Sequence, residues 1–312
     1  MKRATAHPAP ILPAFIPPML ARPGEAFDSG EYAFEVKWDG TRMLAFVDAP
    51  GRYRLLNRRR VGMTSRYPEF AVLGDLEPGT VLDGEIVMLR DGRPDFHALQ
   101  SREHARNSMH IRFAAAHSPA TFIAFDQLYR RFRPLLAEPY DARHHVLAQT
   151  VRTLASERVV LSEPVIGTGR AFFEAACEQG LEGIIAKRRS SPYTPGLRTG
   201  AWIKIKRQET VLCAIIGLVP EGRDDFASLL LAAERDGQAV YVGRVGSGFD
   251  AATRARLNKL LRPRVRPEPA VPCRHKGAVW VEPAVYCRVR CMERTPSGHL
   301  RAPVFVEICH GD

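Results

Sequence analysis

No stretch of this sequence is apolar over the roughly 20 residues that a membrane-spanning helix needs. No apolar core follows the basic N-terminal residues Lys2 and Arg3, so the start does not read as a secretory signal. Cysteine is scarce. Six in 312 residues are too few for a disulfide framework, and a reducing cytoplasm is the expected setting. Cys287 and Cys291 have a spacing that zinc could use, but no second ligand pair follows, and two buried thiols on one strand face fit better. Internal repeats and low-complexity segments are lacking too. Acidic residues are in deficit: 34 Asp and Glu stand against 45 Lys and Arg, a net charge of +11. These shortages exclude a membrane helix, a disulfide-stapled module and a solenoid. The basic excess points to a polyanion, most simply nucleic acid, although many basic proteins are charged only for solubility.

What remains is a chain long enough for one large domain or two ordinary ones. Residues 1–30 form a proline-rich lead-in, anchored by Met19 and Leu20. Period-2 patterns predict strands over 32–38, 43–48, 53–57, 80–89, 121–128, 158–162, 182–188 and 201–206. Helices are predicted over 97–106, over 141–155 with Asp141 as N-cap, and over 170–179, stopped by Gly180. Strands and helices intermix without strict βαβ order, which predicts an antiparallel-rich α+β domain over 1–207. From 208 to 312 the pattern is short strands (210–219, 228–234, 239–245, 279–281, 284–292) with one basic helix, 251–261. That predicts a small closed β-barrel.

The stretch around which the chain is organised is Glu35-Val36-Lys37-Trp38-Asp39-Gly40-Thr41-Arg42. Tyr32, Phe34 and Val36 fall on one strand face, Glu35 and Lys37 on the other. A lysine at a strand end, beside an acid and an arginine, suits a covalent nucleophile if its amine is kept neutral by burial or a nearby cation. It equally suits a surface hairpin with a solvated lysine.

Four further segments carry charge where a strand is ordinarily apolar. Asp83 and Glu85 share a face of residues 81–87. Glu182 opens the apolar run 183–186, which ends in Lys187. Lys204 and Lys206 share one face, with Ala201, Ile203 and Ile205 on the other. Phe125 lies near the end of a buried strand. Each has an ordinary structural reading: edge charge, salt-bridge partner, solvated face, core aromatic. Together they fit one task. Lys204 and Lys206 suit an α-phosphate. Glu182 suits a hard divalent cation. Glu85 and Arg42 suit ribose hydroxyls, and Phe125 suits a base.

These five blocks resemble the nucleotidyl motifs of the covalent nucleotidyltransferases: ATP-dependent DNA ligases, RNA ligases and mRNA capping enzymes. The wording is most similar to bacterial ATP-dependent DNA ligases, in particular the ligase module of the end-joining ligase D family. Pro18-Met19-Leu20-Ala21, Arg66-Tyr67-Pro68-Glu69-Phe70, the 242–249 stretch Val-Gly-Arg-Val-Gly-Ser-Gly-Phe, Trp280-Val281-Glu282-Pro283 and residues 298–305 extend the resemblance over nearly the whole chain. It implies a nucleotidyltransferase domain followed by an OB-fold. It implies ATP and a divalent metal, Mg²⁺ or Mn²⁺, and nicked double-stranded DNA as substrate. It further implies a monomer, with separate repair polymerase or end-binding proteins as candidate partners. Residue by residue it implies Lys37 as nucleophile, with Asp39 as the acid of the same motif. Glu35, Arg42, Arg58, Glu85, Phe125, Lys204 and Lys206 would hold the nucleotide, with Asp83 and Lys187 at further motif positions. Glu182 and Glu85 would hold the metal. Arg58, Arg254, Arg256 and Lys259 would meet DNA.

The chain departs from the family pattern twice. Asn57-Arg58-Arg59-Arg60 replaces Ser-Arg-Asn-Gly, so either the turn differs or Arg60 adopts a strained φ. Cys309 stands where the family has an arginine that contacts the departing phosphates, and the lysine that follows it is absent. Weak self-adenylylation with less affected sealing of adenylylated nicks is therefore expected. Alternation also places Lys187 on the strand face opposite Glu182. An RNA ligase or capping enzyme shares the lysine motif but not the barrel signature. A DNA-binding clamp without chemistry is the alternative outside catalysis.

Overall fold

The computed structural model describes residues 10–90, 92–222, 225–292, 294–295 and 297–309. Lys2 and Arg3, and the residues after Cys309, lie outside the described residues. The described residues fall into two compact units, one ending at Lys206 and one starting at Arg207. No helix among the described residues is long and apolar enough to cross a membrane.

The first unit is α+β and is built on two large sheets, with a two-stranded ribbon, Leu89–Arg90 and Arg93–Pro94, beside them. One orders Leu20–Pro23, Arg198–Lys206, Gly183–Arg188, Ser29–Val36 and Val165–Gly167. The other orders Val159–Leu161, Thr121–Arg130, Thr80–Val87, Thr41–Ala49 and Arg52–Asn57. Between the sheets lie Leu44, Phe46, Val81, Phe125 and Leu128 from the second, packed with Met19, Tyr193 and Trp202. The outer face of the first sheet (Tyr32, Phe34, Ile184, Ala186, Ile205) is covered by helix Gly169–Glu178. The outer face of the second (Met43, Ala45, Val47, Leu82, Phe122) buries Leu147, Val151 and Leu154 of helix Tyr140–Leu154. Both faces of Thr41–Ala49 are buried, which is why its sequence reads as a continuous apolar run. Met19 is fully buried and anchors the lead-in, which adds Leu20–Pro23 as a parallel edge strand.

Two helices differ from expectation. Helix Tyr140–Leu154 starts one residue before Asp141 and has no side-chain N-cap; Asp141 sits in the first turn and pairs with Arg189 at 2.8 Å. Helix Ser108–His117 was not predicted. Met109 and Phe113 are exposed and Ile111 is its buried residue, so no apolar stripe marks it. The signal that was present is Asn107, whose side chain accepts from the N–H groups of Met109 and His110.

The second unit is a seven-stranded sheet built on the long strand Glu209–Glu221. That strand pairs with Asp225–Arg235 along one edge. Along the other it pairs with Tyr286–Cys291 and then Val279–Val281. Leu300 N donates to Val242 O at 2.8 Å and Phe305 N to Ser247 O at 2.9 Å. These bonds join strand Gln238–Val245 at one end to the segment around Val304–Cys309 at the other, so the sheet curls onto itself. Its core holds Leu229, Leu231, Val242, Leu257 and Phe305, with Cys213, Cys287 and Cys291. Cys287 and Cys291 share the buried face of their strand, and both are free thiols.

Candidate active site

Lys37 follows the last residue of strand Ser29–Val36. The next strand, Thr41–Ala49, belongs to the other sheet. Residues 37–40 are therefore a crossover between two sheets, and the hairpin alternative fails. Gly40 is required by crowding: a Cβ there would lie 2.2 Å from the Ile86 carbonyl oxygen. Lys37 N donates to Gly183 O at 2.9 Å, which ties the crossover to the neighbouring strand.

Register explains the rest of the site. Strand Gly183–Arg188 lies between Ser29–Val36 and Arg198–Lys206. Ile185 is opposite both Glu35 and Lys204, and Lys187 is opposite both Ala33 and Trp202. With a period of two, Glu35, Lys187, Trp202 and Lys204 all leave the same sheet face, and Tyr32, Phe34 and Ile184 leave the other. That polar face lines a cavity of about 230 Å³, together with Lys37, Arg42, Arg58, Glu85 and Phe125. Trp38 and Trp202 also line it, and their indole N–H groups are buried without an acceptor among the described residues.

Glu182 precedes this strand, and its carboxylate bonds both Lys37 Nζ and Lys206 Nζ. The expectation that Glu182 and Lys187 face opposite ways is overturned. Gly183 has φ +142° where the strand begins, so alternation does not extend back to Glu182. A Cβ on Gly183 would lie 2.1 Å from Ile205 O, which makes glycine obligatory there. Burial opposes ionisation of Glu182, yet the Lys37 and Lys206 ammonium groups hold its carboxyl below the ordinary value.

Deeper in, Lys187 is 2% exposed and pairs with Glu35 Oε1 at 2.5 Å. It also donates to Phe125 O at 2.9 Å. Tyr140 OH donates to the same Glu35 oxygen at 2.7 Å. Burial lowers the Lys187 pKa against the pull of Glu35, and burial with Glu35 raises that of Tyr140. Arg42 makes a two-pronged bond to Asp83, 2.6 Å on each prong. Tyr193 OH donates to Asp83 Oδ2 at 2.6 Å and itself accepts from Met19 N. Asp83 is thus the fixed support of Arg42. Burial pushes the Glu85 carboxyl up to about 8, against the pull of Arg42 and Lys37. Partial burial and the Lys206 charge lower the Lys204 ammonium.

Phe125 is both core and cavity wall. Its ring lies 4.5 Å from the Arg42 guanidinium carbon and 4.5 Å from Lys187 Nζ. Arg58 is exposed and lines the cavity from the turn after Arg52–Asn57. In that turn Arg60 does take the left-handed conformation, φ 64°, and Asn57 Oδ1 accepts from the N–H groups of Arg59 and Val61. Asp39 is half-buried within the crossover.

The residues expected on the barrel lie in the other unit. Arg256 and Lys259 are exposed on helix Ala251–Leu261. Arg254 is committed inward: it bonds Asp225 at 3.1 Å and Phe226 O at 2.6 Å, and lies over the Phe226 ring. Sequence reading missed Tyr140, Tyr193, Trp38, Trp202 and Arg198 as site residues. The first two stand outside the segments read as strands or helices, with no period to give their direction.

Residues 18–206 match the model of the ATP dependent DNA ligase domain, and residues 222–310 that of the ATP dependent DNA ligase C terminal region. The chain belongs to the ATP-dependent DNA ligases. It is 35% identical over 297 residues to the multifunctional non-homologous end joining DNA repair protein LigD of Mycobacterium tuberculosis, covering 91% of this chain but 37% of that protein. It is 37% identical over 271 residues to DNA ligase C1 of Mycolicibacterium smegmatis, covering 81% of this chain and 74% of that one. Among solved structures it resembles the ligase domain of M. tuberculosis LigD, with TM-score 0.55, 33% identity and coverage of 94% and 95%. It resembles mycobacterial DNA ligase D complexed with ATP and MES equally, with TM-score 0.55, 33% identity and coverage of 95% and 96%. Both matched models are those of DNA ligases, which favours that reading over an RNA ligase or a capping enzyme. The chain spans about 37% of the length of the first of these relatives.

Proposed function

We propose that this chain seals 5′-phosphate/3′-hydroxyl nicks in duplex DNA through a lysyl-AMP, and that it serves end joining. The observation that carries the reading is the convergence of Lys37, Lys204, Arg42, Glu85 and Phe125 on one cavity. In its amine form Lys37 Nζ attacks the α-phosphorus of ATP. An N–P bond forms, the bond to the bridging oxygen breaks, and pyrophosphate leaves. The 5′-phosphate of the nick then displaces Lys37 from AMP, and the 3′-hydroxyl displaces AMP from the DNA.

The chain's own contribution is positioning and charge. Lys204 and Lys206 neutralise the α-phosphate. Arg42, braced by Asp83, and Glu85 meet the ribose, while Phe125 offers a face to the base. Glu35 has one oxygen held by Lys187 and Tyr140, which leaves the other to face the nucleotide. The unpartnered indole N–H groups of Trp38 and Trp202 suit a cavity whose occupant brings oxygen acceptors. Glu182 and Glu85 would hold a divalent metal. Two carboxylates, with no third metal-binding side chain grouped with them among the described residues, fit a cation completed by phosphate oxygens, and its charge would offset theirs. Exposed Arg58, Arg256 and Lys259 are the DNA contacts retained from the barrel and turn. Separate end-binding proteins or a repair polymerase are the partners this reading calls for, and the chain acts as a monomer in the cytoplasm.

Cys309, opposite Tyr286 in strand Val304–Cys309, replaces a guanidinium in the family pattern, so the first step is slow and the last is spared. One experiment tests both parts. Incubation with ATP and Mg²⁺ adds one AMP to the intact mass, and Lys37→Ala abolishes it. Pre-adenylylated nicks are sealed faster than the adduct forms, and Cys309→Arg narrows the gap. No adduct and no sealing of an adenylylated nick would leave the chain a DNA clamp.

A further inference from the structure

A second concavity, of about 550 Å³, lies apart from the nucleotide cavity and shares no lining residue with it. It is lined by Arg66, Arg106 and Arg112, with the hydroxyls of Ser65 and Ser108 and the apolar side chain of Ile111, and no carboxylate is among its walls. Arg66 is fixed: its Nη1 donates to Ala105 O at 2.6 Å and to Glu103 O. Both partners are neutral carbonyls, so its charge is held in place and not cancelled. Its Nε and Nη2 have no protein acceptor among the described residues. Arg106 and Arg112 are exposed and make no ion pair among the described residues. Two acids close in sequence to the concavity's walls are engaged with other partners: Glu69 with Arg102 at 2.8 Å, Glu103 with Tyr67 OH at 3.3 Å. The N-terminus of helix Ser108–His117 adds nothing, because Asn107 occupies its first N–H groups. The three guanidinium groups are what the concavity offers.

Three uncancelled cations around one hollow, with hydroxyl donors between them, suit a phosphodiester backbone. Guanidinium forks grip phosphate oxygens, and hydroxyls fix register without reading bases. The hollow also connects to the nucleotide site through the chain. Arg58 lines the nucleotide cavity from within the turn Asn57–Val61, and Thr64 Oγ1 accepts from Leu55 N at 2.8 Å just before Arg66. Exposed Arg59 and Arg60 lie on that path. We infer that the Arg66, Arg106 and Arg112 hollow is a second phosphate site, which holds the backbone of duplex DNA flanking the nick. The inference rests on the nick-sealing reading, since it takes DNA to be the occupant.

The test uses the whole chain and a nicked duplex, with binding measured against salt. Each phosphate neutralised contributes about 0.9 to the slope of log K against log salt, so Arg106→Gln/Arg112→Gln should make the slope shallower by about 1.8. Arg112→Gln alone should give half that, and Arg106→Lys/Arg112→Lys, which keeps the charge, should keep the slope. Adduct formation with ATP alone should be unchanged in all three, because neither arginine lines the nucleotide cavity. A wild-type slope in both Gln variants overturns the inference, and an acidic protein segment as occupant would give that result. Loss of the wild-type adduct itself would instead overturn the nick-sealing reading.

Discussion

The two units solve the same packing problem with opposite materials. In the first, Glu35, Asp83, Arg102, Asp126, Arg143 and Lys187 are all buried charges. In the second, Ser228 is the buried polar residue among the described residues, and the core is aliphatic, aromatic and thiol. Buried ion pairs are poor sources of stability, because desolvation offsets the attraction. Their concentration in the first unit is explained by what they hold. Asp83 holds Arg42, Lys187 holds Glu35, and Arg143 holds Asp126, the neighbour of Phe125. The first unit gives up packing simplicity to fix side chains around a cavity. The concavity described in the second unit, about 360 Å³, is walled mostly by alanine, leucine, isoleucine and valine, and that unit packs like an ordinary core.

The largest expected effect breaks this contrast directly. Arg143 and Asp126 are both fully buried and joined by two bonds of 2.8 Å. Arg143→Leu strands a carboxylate and should cost the first unit about 3–5 kcal/mol. Cys287→Ala, deleting one buried thiol from the second core, should cost about 1 kcal/mol. Urea unfolding of each variant measures both. The double variant Arg143→Leu/Asp126→Leu separates the roles: it should recover most of the stability, yet form the AMP adduct more slowly. Full recovery of both would mean that the pair does not position Phe125.

A second, smaller effect concerns pH. The Glu85 carboxyl is raised from 4.5 to about 8, chiefly by burial. A folded pKa above the unfolded one means that the folded state keeps the proton longer. The associated stability is full below 4.5 and is lost as pH rises through about 8. Glu85→Gln mimics the neutral form, so the variant should show a flatter stability profile over that window. The second unit should contribute no slope there: burial pushes Cys213 up to about 12 and Cys287 well up too, beyond the window. Thermal unfolding with and without Glu85→Gln checks this, and parallel profiles would refute it.

The contrast also explains what the sequence could disclose. Strands with one polar face were legible: alternation put Lys204 and Lys206 on one face and Glu35 on the face away from Phe34. The register has Glu35 and Lys204 leaving the same sheet face, while their roles came from the family resemblance. Lys187 was misplaced because alternation was carried through Gly183, whose φ of +142° resets the side-chain direction. Tyr140 and Tyr193 were invisible because their partners, Glu35 and Asp83, lie 105 and 110 residues away. Helix Ser108–His117 was missed for a related reason: its exposed face carries Met109 and Phe113 in place of polar residues. Arg254 read as a surface cation, but its fate depended on Asp225 and Phe226 in a neighbouring strand. Local pattern gives a face; it does not give the partner across it.

The smallest effect falls at the rim of the site, in the turn that presents Arg58. Arg60 is held at φ 64°, where an L-residue pays roughly 1–2 kcal/mol and glycine pays little. Part of that cost is offset by its guanidinium, 5.0 Å from the centre of the Phe15 ring. Arg60→Gly removes both strain and stacking and should leave stability close to that of the native chain. Arg60→Ala removes the stacking and keeps the strain. The glycine variant should therefore exceed the alanine variant by about 0.5–1 kcal/mol, the part of the strain left after glycine's greater unfolded-state entropy. Equal stability of the two would mean that this turn relaxes away from the left-handed conformation. Arg58 would then be presented by the hydrogen bonds that Asn57 makes to Arg59 and Val61, without the left-handed residue.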